Sequence, residues 1–210
     1  MKHIVSFPGG KDSTFMVHHL LENNIPITLL LYFETDWDFP SMNYHLEQVI
    51  KKTGLKIVRV RYYRHFSELL SVYGWPHPSG GWCTRCKHDA CVKYVRQITG
   101  PKTEYIDFSA DEKHRSKSAW MTSRKWPVSF PLIDANVTGA DALAHCRALG
   151  YDWDGLYDIF PRLGCAFCPK GGPMQRDHMR RALPRLYSRW EILDVIAANA
   201  HNPNTDALQT

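Results

Sequence analysis

No run of about 18 apolar residues, the length a helix needs to cross a bilayer, occurs in this chain of 210 residues. Only Ile4 and Val5 precede the first polar loop chemistry, so neither a membrane span nor a signal peptide is expected, and the protein is expected to be cytoplasmic with no membrane partner. A large charge excess is also missing. Lys and Arg number 26 against 21 Asp and Glu, a net +5 that permits contact with nucleic acid without requiring it. The chain has no internal repeat and no G-x-x-x-x-G-K-[ST] phosphate loop. Cysteines number six, none after Cys168, and in a cytoplasmic chain they favour metal binding over disulfides.

What is present alternates. His3–Phe7 reads as a strand, and Phe15, Met16, His19 and Leu20 follow at helical spacing. The near-continuous apolar run Ile27–Phe33 suits a strand covered on both faces. A helix from about Ser41 to Thr53 stopped by Gly54, a strand Lys56–Arg61, a helix Phe66–Tyr73, a helix carrying Cys86 and Cys91, and a strand Thr103–Ser109 continue the alternation. Beyond Trp126 the sequence suggests a short extended run to Ile133, a helix Ala140–Leu149, a loop with Cys165 and Cys168, and a terminal helix around Leu186–Ala200, with a polar tail from His201. The fold class is therefore α/β, a mostly parallel sheet with helices on both faces, plus a small C-terminal helical and cysteine-loop subdomain. The expected division is 1–135 for the nucleotide-binding domain and 136–210 for the C-terminal segment.

The stretch SFPGGKDST, residues 6–14, lies between the first strand and the first helix. Ligands of open parallel sheets sit at this carboxyl end of the strands. Gly9 and Gly10 let backbone approach an anion, the helix start offers N–H donors and a positive dipole end, and Lys11, Ser13 and Thr14 add further donors. The cysteines form a second constellation. Cys83-Thr-Arg-Cys86 and Cys165-Ala-Phe-Cys168 are two C-x-x-C pairs, together four thiolates for one metal centre, and the spacing admits zinc or a 4Fe-4S cluster equally. Asp36 and Asp38, just past the second strand, offer hard oxygens for magnesium or serve as turn and helix-cap residues. In SADEKHRS, Arg115 can clamp a phosphate with two donors. Trp82, Trp120, Trp126 and Tyr157 are candidates for stacking on a base, against the plainer reading that they pack in a core.

SFPGGKDST resembles the PP-loop signature S-G-G-x-D-S of the ATP pyrophosphatases. The blocks ETDWDFPS, GGWCTRCK, SADEKHRS and GCAFCP are similar to successive blocks of the phosphoadenosine phosphosulfate (PAPS) reductase-like branch. These blocks span residues 6–169. The resemblance implies an adenine nucleotide alpha hydrolase-like fold and ATP with Mg2+ held by Ser6, Gly9, Gly10, Lys11, Asp12, Ser13, Thr14, Asp36 and Arg115. It also implies adenylation of an oxygen with loss of pyrophosphate, aided by Lys11, Asp12 and Arg115, before sulfur replaces that oxygen. Relatives that include the DNA phosphorothioation branch tip the centre at Cys83, Cys86, Cys165 and Cys168 toward a 4Fe-4S cluster, with Zn2+ the alternative. Cys91 would replace a ligand or carry sulfur. The implied partners are a sulfur donor such as a cysteine desulfurase and a nucleic-acid or nucleotide acceptor. Two alternatives stand beside this expectation: a sulfonucleotide reductase, whose usual C-terminal cysteine motif is not found after Pro169, and a non-catalytic nucleotide-binding module with structural zinc. Pro8 replaces the family's usual serine and removes one N–H donor.

Overall fold

The computed structural model describes residues 1–77 and 81–200; the tail from His201, and Pro78 to Gly80 of the segment before the Cys83 helix, lie outside the described residues. In chain order the elements are β1 (Lys2–Ser6), α1 (Lys11–Glu22), β2 (Leu29–Phe33), α2 (Met42–Thr53), β3 (Ile57–Val60), α3 (Phe66–Tyr73), α4 (Trp82–Gln97) and β4 (Lys102–Tyr105). A 3-10 turn follows over Ala110–Lys117, then α5 (Ala119–Thr122), β5 (Val128–Ser129), α6 (Pro131–Asp134), α7 (Gly139–Ala148), α8 (Leu156–Ile159), α9 (Gly172–Ala182) and α10 (Pro184–Ala198).

Two compact units are built from these elements, each from separated stretches: unit 1 from Met1–Phe33, Pro40–Val60 and Arg96–Asp154, and unit 2 from Glu34–Phe39, Arg61–Val95 and Gly155–Thr210. A cut at residue 135 passes through the third stretch of unit 1.

Unit 1 holds the sheet. Its strand order is β3-β2-β1-β4-β5 and every pairing is parallel, as the alternation of strands and helices requires. β2 is buried at all five positions, which explains its unbroken LLLYF sequence: a strand covered on both faces has no solvent side to spend polar residues on. The order turns back at β1, which lies between β2 and β4, so the loops leaving β1 and β4 flank the switch point where such sheets open a crevice. α1 buries Phe15, Met16, Val17 and Leu20 and packs against α7. α7 begins at a capping box in which Thr138 and Asp141 satisfy each other's backbone donors, and α2 ends at Gly54, whose φ of 69° only glycine adopts without cost.

Unit 2 is helical. α10 packs on α3 and on α9, and α8 packs on α9. Its core is aromatic: Trp37, 1% exposed, meets Phe66, Trp75, Trp82 and Phe167 at centroid distances of 5.4–6.3 Å, mostly edge to face. α10 is the terminal helix expected around Leu186–Ala200; α9, which the sequence places within the cysteine loop, precedes it and is broken from it at Leu183 before Pro184.

Candidate functional site

The glycine loop of unit 1 is locked from beneath. Gly9 has φ 80°, and a Cβ there would stand 2.7 Å from the Met42 sulfur, so the position needs glycine for conformation and for space. The Gly9 carbonyl accepts a hydrogen bond from the indole N–H of Trp153 at 2.8 Å. Because the peptide is trans, the N–H of Gly10 points to the opposite side, away from Trp153. Trp153 is 2% exposed and stacks on His45 at 4.6 Å, while His45 Nε2 lies 3.0 Å from the Thr14 hydroxyl on α1. His45 is fully buried, its Nδ1 has no hydrogen-bond partner, and burial pulls its pKa down to about 3 against a small opposing pull from Asp152. A proton on Nδ1 would have nothing to bond, so the ring stays neutral. Neither His45 nor Trp153 belongs to a recognisable motif, and no sequence signal marked them.

The hydroxyls of this loop are already engaged. Ser13 donates to the Gly10 carbonyl at 3.0 Å, Thr14 faces His45, and Ser6 donates to the buried Glu104 at 3.0 Å. Glu104 is also held by Trp126 at 2.7 Å and by Arg124 at 3.1 Å. Lys11 lies 2.9 Å from the Asp12 carboxylate; burial nevertheless raises the Asp12 pKa, with Lys11 opposing and Glu112 and Asp111 adding to the rise. Arg115 bonds Glu112 at 2.6 Å and lies 4.2 Å over the Phe108 ring, on the turn that follows β4. Unit 1 thus gathers Ser6, Gly9, Gly10, Lys11, Asp12, Ser13, Thr14 and Arg115 at the loops leaving β1 and β4.

Asp36 belongs to unit 2, where it caps α3: its carboxylate accepts from the Phe66 N–H at 2.8 Å, the Ser67 N–H at 3.1 Å and the Ser67 hydroxyl. Asp38 closes a turn by accepting from Thr35 N–H at 3.1 Å and from the Thr35 hydroxyl at 2.8 Å. Trp82 and Tyr157 are buried, and Trp126 is bound to Glu104, so of the four aromatics considered for stacking only Trp120 is exposed.

All four paired cysteines lie in unit 2 as free thiols. Cys83 and Cys86, three residues apart at the start of α4, share one helix face. Cys165 and Cys168 lie in the turn before α9, where Cys168 N–H bonds Cys165 carbonyl at 3.2 Å and Ala166 N–H bonds the Trp37 carbonyl at 2.7 Å. Cys168 is an electrostatic neighbour of Cys83 and of Cys165, and Cys83 of Cys86. Lys170 ties the second pair to the first, donating to the Thr84 hydroxyl at 2.9 Å. Burial raises the Cys83 thiol pKa, pushes Cys86 up to about 11 and Cys165 up to about 12. The thiols are neighbours without forming a closed cage: among the described residues no three His, Cys, Asp or Glu side chains are poised to hold one metal ion. The donor set, four soft sulfurs in two adjoining pairs, fits a zinc or iron-sulfur centre. Cys91 lies more than a turn beyond Cys86, about 140° round the helix from it. Cys146 is a core thiol of unit 1.

An open parallel sheet with a glycine loop at its switch point is the architecture of Rossmann-like α/β proteins. The chain belongs to the phosphoadenosine phosphosulfate reductase domain family, which matches residues 2–171. An uncharacterized protein of Methanocaldococcus jannaschii is 24% identical over 207 residues, 95% of this chain and 42% of that protein, so the chain spans less than half the length of this relative. The solved structure of a U34-tRNA thiolase from Methanococcus maripaludis with its [4Fe-4S] cluster superposes on 96% of this chain and 73% of its own, with a TM-score of 0.50 and 13% identity, a likeness of fold. Among the described residues, no helix is long and apolar enough to cross a membrane.

Proposed function

We propose that the chain is an ATP pyrophosphatase that adenylates an oxygen of a nucleic-acid or nucleotide acceptor, preparing it for replacement by sulfur. The observation that carries this reading is the glycine loop at the switch point, its Gly9 carbonyl tied to Trp153, its Gly10 N–H turned away from Trp153, and Met42 leaving no room for a Cβ at Gly9. Family membership and the thiolase fold support sulfur-related nucleotide chemistry. Gly9, Gly10 and the first turn of α1 would take the ATP phosphates; Lys11 would exchange Asp12 for a phosphate oxygen, freeing the carboxylate for Mg2+. Arg115, on the neighbouring turn, would stabilise the charge that grows on departing pyrophosphate. The acceptor oxygen forms a bond to the α-phosphorus as the α–β bond breaks. The outer sulfur of a persulfide then displaces AMP, forming the bond to sulfur as the bond to oxygen breaks, and a thiol reductant cleaves the resulting disulfide with two electrons to leave sulfur on the acceptor and free the carrier cysteine.

Cys83, Cys86, Cys165 and Cys168 would hold the metal centre, and Cys91 is the candidate carrier of sulfur received from a donor such as a cysteine desulfurase. A 4Fe-4S cluster there would supply an iron-bound place for sulfur; zinc would supply structure only. The test is ATP labelled in the α- and γ-phosphates, incubated with sulfur donor and candidate DNA, RNA and nucleotide acceptors. AMP and pyrophosphate are expected; ADP and orthophosphate, or no cleavage with any acceptor, would sink the assignment.

A further inference from the structure

The positive charge of the chain is concentrated in one place. Between Pro161 and Trp190 there are seven cations, six of them arginines, against a single carboxylate, Asp177, giving a local net of +6 when the whole chain carries only +5. All seven lie in unit 2, and all but Arg176 are exposed. Arg176 is the inward one, bonded to Asp194 and lying 4.8 Å over Trp190.

Two of the exposed cations adjoin the cysteine pairs directly. Lys170 is hydrogen-bonded to Thr84, inside the first C-x-x-C pair, and Arg189 lies 5.5 Å over Phe167, inside the second. Arg185 precedes Arg189 by one turn of α10, on the same face. On α9, the two oxygens of Asp177 each hold one guanidinium, Arg180 at 2.6 Å and Arg181 at 2.7 Å, so this pair is presented as an ordered double fork. An aromatic surface lies beside the cysteines as well. Tyr63 is 80% exposed and packs at 4.4 Å on Tyr62, which in turn neighbours the Cys86 thiol.

We propose that this surface docks single-stranded nucleic acid, which it leads to the cysteines. Planar guanidinium forks match phosphate oxygens two at a time, which explains arginine in six of seven places. An exposed tyrosine offers a platform only to a base that is not already stacked in a duplex. The docking follows from the surface; that the strand is the acceptor for sulfur rests on the function proposed above.

The experiment is fluorescence anisotropy of a labelled mixed-sequence strand of about 16 nucleotides, as RNA and as DNA, with the full chain. The matched duplex, a polyglutamate peptide and phosphatidylserine vesicles serve as comparisons. Single strands bind more tightly than the duplex, peptide or vesicles, and salt weakens the binding. R181Q/R185Q/R189Q lowers the slope of log K against log salt by about 2, at about 0.7 for each phosphate no longer neutralised. Tyr63→Ala weakens binding on the order of tenfold. If circular dichroism shows the triple variant to be misfolded, R180E/R181E on the exposed face of α9 takes its place. Wild-type affinity and salt slope in a folded variant overturn the proposal, as does binding to duplex, peptide or vesicles in preference to single strands. A chain that binds strands but never cleaves ATP overturns the pyrophosphatase reading and leaves the surface standing. One that releases pyrophosphate while ignoring strands overturns the surface alone.

Discussion

Acid should unfasten the glycine loop through His45. The imidazole is fully buried, stacked on Trp153 and set against Thr14, and its pKa in the fold is about 3 against an ordinary 6.5. Below pH 6.5 the unfolded chain takes up a proton that the folded chain refuses, so stability contributed by the neutral ring is whole above 6.5 and is lost progressively toward pH 3. The slope is up to about 1.4 kcal/mol per pH unit. Between pH 6.5 and 4.5 this amounts to about 2–3 kcal/mol, which for a chain of this size lowers the melting temperature by about 5–10 °C. Asp12 works the other way: its raised pKa means that protonation as pH falls favours the fold, so the wild-type profile alone mixes opposite signs.

His45→Gln separates them. Glutamine keeps a polar atom to face Thr14 but has no titration in this range, and it sacrifices the stack on Trp153 at a cost of about 1–3 kcal/mol at any pH. Melting curves of the two proteins from pH 7.5 to 4.5 should therefore converge as pH falls. Parallel profiles would refute the argument, because they would mean that the buried ring is protonated in the fold or that its surroundings relax freely to accept the charge.

Gly9→Ala forces a Cβ against the Met42 sulfur at a positive φ, and should lower stability by about 1–3 kcal/mol and weaken ATP binding; calorimetry with the nucleotide checks both. Replacing Lys11 and Ser13 together with alanine should weaken ATP binding at least tenfold with little change in melting temperature, and unchanged affinity would remove the phosphate role. Serine at any one of Cys83, Cys86, Cys165 or Cys168 should lower metal content and melting temperature in anaerobically purified protein, since each leaves an open coordination position. Full metal content in all four variants would show that they do not share one centre.

The sheet was legible because burial writes itself into composition. A strand with no wet face, β2, must be apolar throughout, and Gly54 ends α2 because only a residue without a Cβ takes that turn cheaply. The loop from Ser6 to Thr14 was legible for a related reason, since its glycines and charges have no purpose inside a strand or a helix. α9 escaped because its sequence, GPMQRDHMRRA, opens on Gly-Pro directly after the cysteine turn and is mostly polar, so it reads as a continuation of that loop, although it is a helix packed on α10 and α8.

The assignment of Asp36 shows a different limit. A carboxylate after a strand suits magnesium and a helix start equally, and only coordinates reveal that the α3 backbone has taken it. His45 and Trp153 lay beyond sequence reasoning altogether, because nothing in a lone histidine within α2 or a tryptophan 144 residues from Gly9 signals that they meet beneath the loop. Pro8 carries no N–H, whereas the Trp153 indole fixes the Gly9–Gly10 peptide so that the Gly10 N–H points away from Trp153. A loop with one donor fewer but less freedom to turn the next one away loses less ordering entropy when an anion binds. Trp153→Phe, which keeps an aromatic ring against His45 and deletes the indole donor to the Gly9 carbonyl, should therefore weaken ATP binding, and unchanged nucleotide affinity by calorimetry would show that this tie does not prepare the loop.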